Sequence, residues 1–76
     1  MKKNEIFTYV KNLLDYDDNN VIRNSYEISQ KLAFELGFST QIANIINNCI
    51  LFIDHSGDKE KDASKISIKI KESIWS

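Results

Sequence analysis

At 76 residues the chain is in the size range where folding withdraws only about 60% of the unfolded surface from water, so its core is small and its stability marginal. With 42% hydrophobic and 28% charged residues and a formal net charge of −1, it is neither a disordered acidic tail nor a basic nucleic-acid peptide. A single cysteine, Cys49, excludes an internal disulfide, and Glu5, Thr8 and Lys11 break up the apolar residues behind Lys2 and Lys3, so no export signal is visible and a cytoplasmic location is expected.

These bounds predict one helical domain over 1–76. With no disulfide and no evident metal to reinforce so small a core, association with a second copy is the expected remedy. Proline is absent, and the two glycines, Gly37 and Gly57, mark the ends of segments.

In chain order, residues 3–16 place Ile6, Val10, Leu13 and Leu14 on one helical stripe with Phe7 on its flank, and Glu5 sits where the helix dipole favours an anion. Residues 15–20, DYDDNN, bond their own backbone more readily than they continue a helix, which predicts a loop that caps the next one. A second helix is expected over 21–36. Its stripe is Val21, Ile28, Leu32 and Leu36, with Ile22, Tyr26 and Ala33 beside it and Gly37 as the residue that stops it.

Residues 39–55, STQIANIINNCILFIDH, then form the segment expected to organise the rest. Ile42, Ile45, Ile46, Cys49, Ile50, Phe52 and Ile53 cover most of a helical circumference, and a helix apolar on nearly every side must be surrounded. The span is too short to cross a bilayer and is interrupted by Asn44, Asn47 and Asn48, so its surroundings are protein. His55 falls at the carbonyl end of this helix, where the dipole favours a cation.

The tail fits two periods. As a helix over 60–75 it places Ala63, Ile66, Ile70 and Ile74 on one stripe; as a strand it places Ile66, Ile68, Ile70 and Ile74 on one face. No other stretch alternates, so a strand would have no partner within the chain. A helix packed on the third is therefore favoured, giving an all-α bundle of about four helices with the third central.

Several stretches carry partial motifs. In LAFELGFSTQIANII, Leu32, Ala33, Leu36, Phe38, Ala43 and Ile46 are small or apolar where helix-turn-helix units pack their two helices, and the stretch resembles that DNA-binding motif. The resemblance implies a recognition helix presenting Ser39, Thr40, Gln41, Asn44 and Asn48 to base edges. Phosphate neutralisation supplies much of such binding, and no Lys or Arg lies between Lys31 and Lys59.

Asp15, Asp17 and Asn19 alternate between two helices, with Ile22 placed as in an EF-hand calcium loop. Asn20 stands where that loop has glycine and Tyr26 where it has its bidentate carboxylate, so an acidic interhelical loop with a helix cap is the expected reading. SYEISQKLAFELGFS with ILFIDHSG resembles the helical part of HD-type phosphohydrolases, and its LAFELGFS portion resembles a helix of anti-sigma-factor ATPases. The first family needs a His-Asp doublet where this chain has Ile53 and Asp54, and the second needs a glycine-rich nucleotide box that the chain lacks. No site is carried over from either.

Single residues point to structure. Cys49 on an apolar helix reads as core. Asp54 and His55 are adjacent and do not face each other on a helix, so they read as a polar helix end. Residues 59–62, Lys-Glu-Lys-Asp, read as a solvated first turn.

What remains is surface that is too apolar. If the tail helix covers the core with Ala63, Ile66, Ile70 and Ile74, Ile68 and Trp75 lie on its outward side, rimmed by Lys65, Lys69 and Lys71. Residues 59–76 hold five Lys and three acids, whereas 1–58 hold five basic and eight acidic residues, an asymmetry that favours an acidic partner or a second copy. The expected function is a small protein-binding regulator or inhibitor, homodimeric and non-enzymatic, with Ile68, Trp75, Lys65, Lys69 and Lys71 as its partner-binding residues and neither metal nor cofactor. The alternative is a helix-turn-helix DNA-binding regulator.

Overall fold

The computed structural model describes residues 1–75. A short 3-10 turn, Lys3–Glu5, leads into α1 (Ile6–Leu13), followed by α2 (Ser25–Leu36), α3 (Thr40–Leu51) and α4 (Lys59–Trp75). Among the described residues there is no strand, so the tail is helical, as its lack of a pairing partner predicts. The main pairings are α2 on α3 and α1 on α4, joined by α3 on α4 and α1 on α2.

Each helix contributes one stripe to a single buried cluster: Ile6 and Val10 from α1, Ile28, Leu32 and Ala33 from α2, Ala43, Ile46, Cys49 and Ile50 from α3, and Ala63, Ile66 and Ile70 from α4. Leu14 and Ile22 from the first loop close one end. These are the apolar positions that recur at three and four residues, which is why one face of each helix is dry and the other wet.

The helix ends differ from the periodicity where side chains capture the backbone. The Asp17 carboxylate accepts from the N–H groups of Asn19 (2.8 Å) and Val21 (3.0 Å), and Tyr16 and Ile22 form an isolated antiparallel bridge. Residues 14–24 are therefore a folded loop. The second helix begins at Ser25 instead of 21, because Val21 and Ile22 have already committed their backbone elsewhere. Its other end follows expectation: Gly37, at φ 77°, lets Phe38 N–H reach the Ala33 carbonyl at 2.9 Å and closes the helix.

α3 stops at Leu51, four residues before the end its composition suggests. His55 lies beyond the helix and folds back on it: its Nε2 contacts the Ile50 carbonyl at 3.1 Å while its Nδ1 accepts from Ile22 N–H at 2.9 Å. Together these contacts clamp the ring between α3 and the first loop. The expected enclosure of the segment on all sides also fails, since Ile45, Leu51 and Phe52 are exposed. At about 100° per residue, Phe52 falls well away from the Ala43, Ile46 and Ile50 stripe and is left largely in water. α4 starts with Asp58, whose Oδ1 accepts from Glu60 N–H at 3.0 Å and Lys61 N–H at 3.1 Å, the geometry of a helix cap.

Candidate functional site

The short segment from Phe52 to Asp58 sets Phe52, Ile53 and Asp54 beside the middle of α4, and between them is an open groove of about 410 Å³ lined also by Lys65, Ile68, Lys69 and Glu72. Phe52, Ile53 and Ile68 make its apolar part. Phe52 is 73% exposed and Ile68 56%. Lys65 leans across one edge, donating to the Asp54 carbonyl at 3.1 Å, with its ammonium 3.9 Å from Asp62.

What holds the groove wall in place is a buried carboxylate. Asp62 is fully buried, contrary to its reading as part of a solvated first turn. It accepts from the Tyr16 hydroxyl at 2.7 Å, from Ser56 N–H at 3.1 and 3.2 Å, and from the Ser56 hydroxyl at 2.8 Å. Burial alone would push its pKa up, but the Tyr16 and Ser56 donors outweigh that and hold the carboxyl below the usual carboxylate range. In return, burial and the Asp62 carboxylate push the Tyr16 phenol well above its ordinary value. The network ties the first loop, the segment after α3 and the first turn of α4 into one unit. A donor 46 residues away has no local signature, which is why Asp62 was illegible in sequence.

Of the five expected partner-binding residues, the structure gathers Ile68, Lys65 and Lys69 in the groove and leaves two outside it. Trp75 is half-buried against its own fold, with its ring centroid 5.6 Å from that of Phe38 and Lys3 Nζ 5.0 Å above it. Lys71 is half-buried and does not line the groove. Phe52 is the residue that sequence reasoning missed, having been assigned to the core; its position on the wheel of α3 was the signal that could have found it.

The other candidates are placed as follows. Cys49 is buried, 3.5 Å from the Ser73 hydroxyl. His55 has both ring nitrogens engaged by backbone groups, and the exposed Asp54 does not bond to it. Asp15 pairs with Arg23 at 2.7 Å, which holds its carboxyl below the usual range, so the first loop turns this carboxylate outward onto a guanidinium. Among the described residues no three His, Cys, Asp or Glu side chains converge as a metal site. Nor is any described helix long and apolar enough to cross a membrane. On the helix-turn-helix-like unit Thr40, Gln41, Asn44 and Asn48 are exposed. A second apolar projection, Phe34, stands 80% exposed on α2 near Tyr9 and Lys31.

Comparison with protein-family models, with curated proteins and with solved structures returned no match.

Proposed function

We propose that this chain is a small, non-enzymatic regulator or inhibitor that acts in the cytoplasm by docking on a larger protein, and that it is a homodimer when free. The observation that carries this reading is the Phe52 and Ile68 pair, two large side chains held in water side by side and rimmed by Lys65 and Lys69. Rigid apolar anchors within a polar rim are how protein interfaces concentrate their binding free energy. The anchors are pre-positioned, because the Asp62 network holds the segment that carries Phe52.

Affinity capture from the native host tests it with three baits. The unmodified chain and Phe34→Glu should retain the same partner, and the double variant Phe52→Glu, Ile68→Glu should lose it. Retention by all three would place the interface elsewhere and defeat the reading. Phe34 serves as the control because it is more exposed than either groove residue but lies on another face.

One observation favours the DNA-binding alternative: the outward row Thr40, Gln41, Asn44 and Asn48 on the second helix of a helix-turn-helix-like unit. Against it, that helix carries no Lys or Arg to neutralise phosphate. A mobility shift of duplex DNA that weakens steeply with added salt, and that Gln41→Ala or Asn44→Ala abolishes, would reverse the order of the two readings.

A further inference from the structure

The groove carries its own complement. Along α4, Lys61, Lys65, Ile68 and Glu72 follow one another at spacings of four, three and four, and so form one outward stripe with Ile68 between a cation and an anion. The rim as a whole is balanced, two lysines against Asp54 and Glu72, so a strongly acidic or basic partner would meet as much repulsion as attraction. A surface with the same alternation run backwards would not.

We propose that in the free chain the occupant of this groove is a second copy, docked through a two-fold axis with the two α4 helices antiparallel across Ile68, so that the second copy and the larger partner compete for one surface. The inference rests on the groove being a protein-binding surface and names what binds there. In an antiparallel pair centred beside Ile68, Lys65 of one copy lies opposite Glu72 of the other, and symmetry repeats the pairing on the far side of the axis. A parallel arrangement would instead set Lys65 against Lys65 and Glu72 against Glu72, so the charge order selects the antiparallel one. Ile68 meets its counterpart at the centre, and each Phe52, seated beside Ile68, is covered by the opposing helix. Lys65 and Glu72 each already interact within their own chain, but an ammonium has three donors and a carboxylate several acceptor positions, and the Lys65 side chain is 44% exposed.

The test is charge reversal followed by mixing, read by sedimentation velocity over a range of concentrations. The unmodified chain should be dimeric. Lys65→Glu and Glu72→Lys should each weaken the dimer about tenfold, since each replaces two attractive pairs by two repulsive ones. An equimolar mixture of these two variants should recover the original dimer, because every cross-pair is then opposite in sign; a variant that had simply unfolded would not recover. Ile68→Glu, at a position exposed in the single copy, should be monomeric and retain its helical circular dichroism.

A monomer at every concentration, a dimer indifferent to both reversals or to Ile68→Glu, or a mixture no stronger than its components would overturn the proposal. If the chain is monomeric and Phe52→Glu, Ile68→Glu still loses a captured protein, the docking function stands and only the identity of the occupant fails.

Discussion

At the scale of single residues the molecule depends on a buried anion. Asp62 is charged inside the protein because Tyr16 and Ser56 replace the water it loses, and its lowered pKa stabilises the fold. That contribution is present above about pH 4, the unfolded carboxyl value, and is lost as pH falls through the lower folded value. Tyr16 has the opposite sign. Its folded pKa is raised, so its contribution is present below about pH 10 and is lost as the pH climbs toward the folded value.

Tyr16→Phe should therefore cost about 1–3 kcal/mol at neutral pH, the penalty for leaving a buried carboxylate short of a donor. It should also remove the alkaline decline and shrink the acid one. Urea unfolding at a series of pH values measures all three, and an unchanged alkaline limb would refute the assignment. None of this was legible in the run of residues 59–62, which has the composition of an exposed first turn. Burial there comes from the fold, which brings Tyr16 across from the first loop.

At the scale of elements, the helices were legible where one apolar stripe was flanked by a chain-breaking residue, and the two ends misjudged by four residues are places where a side chain captured the backbone. Gly37 ended α2 as expected. The start of α2 was displaced by Asp17 and the end of α3 by His55, and both act through hydrogen bonds that composition does not reveal. The two glycine turns make a matched prediction. Gly37 has φ 77° but open space where a Cβ would go, so Gly37→Ala should cost only the backbone strain, about 1 kcal/mol.

Gly57 has φ 81°, and a Cβ there would lie 2.7 Å from Asn20 Cγ and 2.9 Å from its Cβ. Asn20 is itself held at φ 61° and cannot readily withdraw. Gly57→Ala should therefore cost more, about 2–3 kcal/mol, adding a clash to the strain. Chemical denaturation of the pair measures the difference. Equal losses would mean that the first loop is free to move away from the segment that carries the groove.

At the scale of the whole molecule, Met1 and Trp75 are both fastened to the turn region between α2 and α3. Trp75 at the end of α4 packs on Phe38 in the turn between α2 and α3, under Lys3, and the N-terminal ammonium donates to the Glu35 carbonyl at 3.1 Å. The outward Trp75 expected from the α4 stripe is thus drawn into the fold and serves as a strap, separate from the groove. Trp75→Ala should lower stability by about 2 kcal/mol, less than for a fully buried ring, and leave the oligomeric state unchanged. Thermal unfolding and sedimentation together check this. A dissociated dimer with undiminished stability would return Trp75 to the interface.

The sequence by itself determined the number of helices and most of their buried stripes, because recurrence of apolar residues at three and four positions is a local property that any helix carries with it. It also marked Ile68, Lys65 and Lys69 as outward. Only the tertiary structure decided that Asp62 is buried, that Trp75 turns inward and that Phe52 turns outward beside Ile68. Each of those outcomes depends on which neighbour arrives from a distant part of the chain, and periodicity along one helix contains no information about its neighbours.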